Sequence, residues 1–326
     1  MTVLVTGGAG YIGSHVVKIL GQAQEDLIIA DNLSTGFRAA VLYGKFYHVD
    51  LADLEKLEKI FQDHAIESIL HFAGSIVVPD SMKNPLAYYQ NNTINAFQLL
   101  QLAVKYKVKN FIFSSTASLY GESASGECSE SSPVNPINPY ARSKFMFEGM
   151  LQDVCAAHNI NSIILRYFNV AGADPDGQLG QSFPQATHLI KVACEVLTGK
   201  RSTLEVFGSD YSTPDGTCIR DYIHVTDLAQ AHADALRQLR QQKKKYFEIF
   251  NCGYGQGLSV LEVLTQLQKV TGLKLQFYMA PRRAGDSAKI ISKSEKIFQH
   301  LAWKPQFHNL EIIIKTAYQW ELHRKY

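Results

Sequence analysis

The chain has 326 residues, 46% of them hydrophobic, and sets 32 Lys and Arg against 30 Asp and Glu for a net charge of +2. That length accommodates one large α/β domain with a smaller one appended, and so even a charge balance excludes a dedicated nucleic-acid or anionic-membrane binder; Lys243, Lys244 and Lys245 read as a solvated loop. Five widely spaced cysteines exclude CxxC redox and zinc patterns, so no metal is expected. Without a signal-like start or a long apolar run, the expectation is a protein of the reducing cytoplasm that does not enter a membrane.

Residues 3–6, a short β-branched run, predict a first strand that leads straight into Gly7-Gly8-Ala9-Gly10-Tyr11-Ile12-Gly13. A strand, closely spaced glycines and then a helix-compatible segment present bare N–H groups and a helix N-terminus to a pyrophosphate. In this reading Gly7 turns the chain with positive φ, Gly10 admits phosphate oxygens, and Gly13 lets the first helix lie close on the sheet. A second strand over 27–30 ends in Asp31, whose carboxylate suits adenosine ribose hydroxyls and repels a 2′-phosphate. The cofactor expected is therefore NAD, and Arg38 is read as solvated surface.

Further strands are expected over 46–48, 68–71, 110–114 and 162–166, alternating with segments of helical spacing such as Leu54, Leu57, Ile60 and Phe61, or Leu99, Leu102, Ala103 and Tyr106. Strand–helix alternation predicts a doubly wound parallel (Rossmann) sheet of α/β class, with ligands at the carboxyl ends of its strands. Residues 1–168 are expected to form the NAD-binding domain. A stretch over 172–184 rich in glycine, proline and aspartate opens a smaller C-terminal α/β domain, 169–326, in which segments around 219–251 are candidates for return to the main sheet.

The fifth strand runs into Ser114-Ser115-Thr116-Ala117-Ser118, and a later helix opens near Pro139 with Tyr140-Ala141-Arg142-Ser143-Lys144. Tyr140 and Lys144, at i and i+4, share a helix face. The spacing by itself is weak, and position gives it value: a strand-end hydroxyl and a helix crossing the same sheet edge converge where a nicotinamide would sit. Thr116, Tyr140 and Lys144 then form a site that removes a proton from a carbinol while a hydride leaves for NAD. A free tyrosine titrates near pH ~10, and an ammonium at about 6 Å in an effective dielectric of about 20 is expected to lower that by about two units.

Gly7-x-x-Gly10-x-x-Gly13, Asp31-Asn32, His71-Phe72-Ala73-Gly74, Ser114-Ser115-Thr116, Tyr140-x-x-x-Lys144 and Arg166-Tyr167-Phe168-Asn169 stand in the order found in the extended short-chain dehydrogenase/reductases. Continued through Asp210-Tyr211, Asp215-Gly216-Thr217, Arg220-Asp221-Tyr222-Ile223-His224-Val225 and Pro281-Arg282-Arg283-x-Gly285-Asp286, the series resembles the UDP-glucose 4-epimerase family from end to end. The resemblance implies that Tyr140 takes the proton of the sugar 4-hydroxyl, that Thr116 hydrogen-bonds the same oxygen, and that Lys144 holds the nicotinamide ribose. It implies cofactor contacts from Tyr11, Ile12, Asn32, Asp50, Leu51, Phe72, Ala73, Gly74, Asn92, Ser114 and Tyr167. It further implies that Asn169, Arg220 and Arg283 hold the UDP diphosphate and Asp286 its ribose, with His188, Leu189, Phe207 and Tyr222 on the substrate side. Arginine suits diphosphate because its fork donates paired bonds to phosphate oxygens. His71 and His224 are expected to be structural, and a homodimer built from helices over 85–106 and 139–158 is implied.

Two positions depart from the family pattern. Ile76 replaces a lysine near the cofactor phosphates, and Ile290 replaces a tyrosine that narrows the sugar pocket in some relatives, so UDP-GlcNAc and UDP-GalNAc are expected as additional substrates. A dehydratase or decarboxylase would need an acid or base directly after Thr116, where this chain has Ala117 and Ser118. A UDP-pentose 4-epimerase remains an alternative, and a non-catalytic NAD sensor is disfavoured because both Tyr140 and Lys144 are present.

Overall fold

The computed structural model describes residues 1–123 and 125–326. From the N-terminus the elements alternate: β1 (Thr2–Thr6), α1 (Tyr11–Gln22), β2 (Asp26–Asp31), β3 (Lys45–His48), α2 (Leu54–Asp63) and β4 (Ile66–His71). A helical run follows, α3 (Val78–Lys83), α4 (Pro85–Tyr89), a π-helical turn (Gln90–Ile94) and α5 (Asn95–Lys105), before β5 (Asn110–Thr116), a short β6 (Glu127–Cys128), α6 (Pro139–Ala157) and β7 (Asn161–Tyr167). All six strands read from the sequence form, each within two residues of its expected ends.

The strands read as nearly continuous apolar runs because both faces of the sheet are covered. Along β1 and β2, Val3, Val5, Leu27 and Ile29 face a core shared with Val16, Val17 and Leu20 of α1. The alternate residues Leu4, Ile28 and Ala30 face Leu57 and Ile60 of α2, Leu99 of α5 and Phe147 of α6. Period-two alternation thus feeds two cores from one strand.

Beyond β7 come β8 (Asn169–Ala171), α7 (Leu189–Leu197), β9 (Leu204–Phe207), β10 (Ile219–His224), α8 (Val225–Arg240), β11 (Phe247–Cys252), β12 (Gly257–Ser259), α9 (Val260–Thr271), β13 (Phe277–Ala280), β14 (Lys289–Ser292), α10 (Glu295–His300) and α11 (Leu310–Leu322). The main sheet has seven strands in the order β11-β7-β5-β4-β1-β2-β3, all parallel. β11 returns to the edge of this sheet beside β7, and α8 packs on α1. The remaining strands make a sheet β12-β10-β14-β6, with β8 also on β10, and a separate pair β13-β9; α7, α9 and α11 cover a third core. Strand order reverses between β1 and β4, and that switch point is where an open α/β sheet leaves a crevice.

Candidate active site

The crevice continues as one cleft of about 1000 Å³ from the glycine loop, past the ends of β4, β5 and β7, to β9, β10 and β14. Its first stretch is built by backbone. Gly7 has φ of +73°, and a Cβ there would stand 2.5 Å from the Ala73 nitrogen. The loop therefore presses against the end of β4, where the Phe72 and Ala73 N–H groups both donate to the Thr6 carbonyl. Gly13 lets α1 approach the chain where it leaves β1, since a Cβ there would strike the Gly7 carbonyl oxygen at 2.3 Å, and Gly8 abuts the sheet at Ile29. Helix α1 has Gly10 as its N-cap, with no side-chain cap bond and no acidic residue in its first turn, so its N-terminal N–H groups and positive dipole end face the cleft.

Asp31 accepts hydrogen bonds from the Ala9 N–H at 2.9 Å and the Leu33 N–H at 2.8 Å, and burial raises its pKa above the usual value while those bonds oppose the rise. Asn32 donates to Asp50 at 2.7 Å, and Leu51 completes this end. Arg38 stands on the Phe46 ring, 4.8 Å from its centroid, outside the cleft. A glycine cradle, an uncapped helix start and a carboxylate at the end of β2 fit a dinucleotide without a 2′-phosphate.

At the centre, Thr116 ends β5 and its hydroxyl oxygen accepts from the Ser118 N–H at 3.1 Å. Tyr140 stands at the second position of α6, placed by Pro139 and by the fully buried cap Asn138, which accepts from the Ala141 N–H at 2.8 Å and donates to the Ser118 hydroxyl at 3.3 Å. The Thr116 hydroxyl and the Tyr140 phenol both face the same cleft. Burial raises the Tyr140 pKa above 10 and Thr116 opposes it. Burial thus outweighs the depression expected from Lys144. Buried with only the Ser114 carbonyl at 3.2 Å and the Phe113 ring 4.9 Å away, Lys144 is itself pulled down to about 8, so it is neutral before the phenol would ionise unaided.

Toward the other end, strand alternation sends Arg220 into the cleft and Asp221 away from it. The two are no ion pair: Asp221 accepts from the Tyr254, Gly255 and Ser292 N–H groups, while Arg220 rests on the Ile219 carbonyl at 2.9 Å. Arg283 lies over the Phe207 ring, 4.7 Å from its centroid, and donates to Asp286 at 2.9 Å. His188 meets Gln181 at 2.8 Å and is held neutral by burial and then by Arg283, with its pKa lowered to about 4.

Of the residues singled out from sequence, Gly7, Gly10, Tyr11, Ile12, Gly13, Asp31, Asn32, Asp50, Leu51, Phe72, Ala73, Gly74, Thr116, Tyr140, Tyr167, Asn169, His188, Leu189, Phe207, Arg220, Tyr222, Arg283 and Asp286 line this one cleft. Three sit behind its wall. Asn92 binds the Ser75 backbone and donates to the Ser143 hydroxyl, Ser114 meets His232 at 3.0 Å, and Lys144 and Asn92 both stand where a Cβ on Gly74 would be, at 3.3 and 2.9 Å. His71 and His224 are structural as expected: the first pairs with Thr6 at 2.7 Å, the second caps α8.

Sequence reading missed Phe37, Ser118, Gly180, Gln181, Phe183 and Tyr326, which also line the cleft. Ser118 was within reach as a second hydroxyl beyond Thr116. The others come from loops that no motif marks, the 172–180 segment being tied to α1 by the Tyr11 phenol on the Gly172 carbonyl (2.6 Å) and Lys18 on Asp174 (2.7 Å).

Residues 3–253 match the model of the NAD-dependent epimerase/dehydratase family. The chain is 48% identical over 320 residues to the UDP-glucose 4-epimerase of Azospirillum brasilense, covering 98% of this chain and 91% of that one. Its structure is similar to that of the Bifidobacterium longum UDP-glucose 4-epimerase in complex with NAD+ and UDP (TM-score 0.95, 34% identity, 99% of both chains). It is also similar to the UDP-Glc/GlcNAc 4-epimerase of Campylobacter jejuni (TM-score 0.85, 46% identity, 99% of both chains). Full-length likeness of this kind, on a cleft assembled from the same motifs, places the chain in the NAD-dependent epimerase/dehydratase family, among its UDP-glucose 4-epimerases.

Proposed function

We propose that the protein interconverts UDP-glucose and UDP-galactose by inverting C4 through a transient 4-keto sugar, using bound NAD. The observation that carries this reading is the placement of Thr116 and Tyr140 midway along one cleft, between a dinucleotide cradle and a cationic diphosphate end. Gly7, Gly10, Gly13 and the start of α1 would hold the cofactor pyrophosphate, Asp31 the adenosine ribose, and Asn32, Asp50 and Leu51 the adenine side. Bound NAD supplies a hydride acceptor that later returns the hydride, so the reaction consumes no reductant.

The residues of the chain handle the proton and the sugar. Tyr140 removes the 4-hydroxyl proton and gives it back once C4 has been re-reduced on its other face. The Thr116 oxygen is already occupied by the Ser118 N–H, which leaves its hydroxyl proton to donate toward the sugar oxygen or the phenolate. Arg220, Arg283 and Asn169 fix the diphosphate and Asp286 the uridine ribose, so the hexose turns about a held nucleotide. Residues 1–168 act as the cofactor part and 169–326 as the UDP-sugar part, with β11 returning to the first.

Ile290 favours a second substrate pair. It lines the cleft and packs against the cluster of Ala117, Tyr120, Cys128 and Phe168, while Lys289 flanks Gly126 and Ile291 is buried. A branched aliphatic chain leaves room beside C2 for an acetamido group, so UDP-GlcNAc and UDP-GalNAc are substrates too. The enzyme works as a homodimer in the cytoplasm; exposed Leu86, Ile94, Phe97, Phe145 and Met146 on neighbouring helices supply an apolar interface, and five free, buried thiols fit a reducing compartment. The test is to present UDP-glucose, UDP-galactose, their N-acetyl forms and UDP-xylose to one preparation without added reductant, with products read by NMR. Interconversion at C4 with NAD released on denaturation is expected; accumulation of a keto-sugar or free NADH would make the protein a dehydrogenase instead.

A further inference from the structure

Tyr140, Lys144 and Glu148 follow one another at i, i+4 and i+8 on α6, so helical geometry stacks them along one face. The first two belong to the reaction. Glu148 is only 3% exposed, behind the wall of the cleft, and nothing in the reaction described above uses it. It is clamped by Arg166, whose Nε and Nη2 donate at 3.0 and 2.6 Å, and by the Ser115 hydroxyl. Each partner adjoins a cleft residue: Ser115 precedes Thr116 at the end of β5, and Arg166 precedes Tyr167 at the end of β7. Arg166 continues to the Tyr120 phenol at 3.1 Å, and Tyr120 to Asn251 of β11 at 2.6 Å.

A buried ion pair is weak evidence for stability, because apolar side chains of similar volume often serve as well. What apolar side chains cannot supply is charge. Lys144 makes no ion pair among the described residues; its ammonium rests on a carbonyl and an aromatic face. The groups around it are His71 of β4 held neutral by burial, the Ser114 carbonyl and Phe113 ring of β5, and the Asn92 amide of the π-helical turn, with Tyr140 one turn earlier on its own helix. Glu148 is the one carboxylate among the described residues that acts on it, and it opposes the effect of burial.

We propose that Glu148 is a positioning residue for the reaction: held by Arg166 and Ser115, it supplies the counter-charge that keeps Lys144 an ammonium and locks the Tyr140 face of α6 to the Thr116 end of β5. A cationic Lys144 is what lets the phenolate form during turnover, so the requirement for Glu148 grows as pH rises. This rests on Tyr140 as the base, which Tyr140→Phe tests separately: persistence of its activity would remove that reading whatever Glu148 does.

The experiment is the pH profile of kcat for UDP-galactose with the NAD-loaded enzyme. In Glu148→Gln the alkaline limb is expected to move down by about one pH unit, a roughly tenfold deficit on the alkaline side that closes as pH is lowered, since one unit is a tenfold change in the charged fraction. A deficit of the same size at every pH, or none, overturns the proposal and leaves Glu148 a purely structural group. Because Glu148→Gln strands Arg166, the double variant Glu148→Met/Arg166→Met, which removes both charges and keeps the volume, provides a second reading. It is expected to show the same displaced limb, and a wild-type limb in a folded double variant would equally overturn the proposal.

Discussion

Tyr140 carries the chemistry through a single oxygen, so Tyr140→Phe keeps the ring packed edge-on against Tyr88 and removes only the proton acceptor. Loss of a positioned acid–base group costs about 100-fold to 10,000-fold in rate. That loss is expected in kcat with NAD retention unchanged, measured by cofactor absorbance after denaturation. Ile290→Tyr tests the sugar pocket: the larger side chain is expected to suppress turnover of UDP-GlcNAc relative to UDP-glucose by about 10- to 200-fold, the usual scale of discrimination by pocket size. Undetectable turnover of UDP-GlcNAc by the wild type would instead place selectivity elsewhere in the wall.

At the scale of elements, the glycine loop and α1 act as one device. Gly7→Ala asks an L-residue to hold φ of +73°, which costs about 1–2 kcal/mol, and drives its Cβ into the backbone at Ala73. The loop must then pull away from β4, and NAD is expected to wash out on dialysis while circular dichroism stays near wild type. Helix α6 has a similar dependence on its cap. Asn138→Ala removes a bond worth about 1 kcal/mol and also frees the Ser118 hydroxyl, so it is expected to lower the melting temperature by a few degrees and kcat along with it, because Tyr140 sits two residues inside the helix.

The molecule as a whole buries four neutral imidazoles and half-buries a fifth: desolvation lowers His15, His188 and His232 to about 4, and His71 and His224 to about 3. Folded pKa values lie below the unfolded ~6.5, so the unfolded chain takes up protons first as pH falls and stability drops from about pH 6.5 downward. Each of the four buried ones contributes on the order of 2 kcal/mol of loss by pH 5, about 8 in all, while Asp221, raised to about 6 by burial, returns only ~1. Against a typical total of 5–15 kcal/mol, cooperative acid unfolding is expected with a midpoint near pH ~5, followed by tryptophan fluorescence. A native protein at pH 4 would contradict the buried-imidazole account. The apolar patch of Leu86, Phe97 and Met146 is expected to pair two copies, and Phe97→Asp with Met146→Asp to give monomers by sedimentation.

The sequence alone determined the parts whose physics is local. Six strands, the glycine turn, the carboxylate ending β2 and the start of α6 near Pro139 were legible because period and φ requirements act over a few residues. The candidate residues were legible as types in order, and 23 of them share one cleft. Tertiary structure alone decided what depends on distant partners. It brought β11 back beside β7, turned Arg220 inward and Asp221 outward, and put Lys144 and Asn92 behind Gly74. It also reversed the expected sign of the Tyr140 shift, since desolvation and the order in which two buried groups titrate depend on the packing of α6 against β4 and β5, which no spacing within the chain encodes.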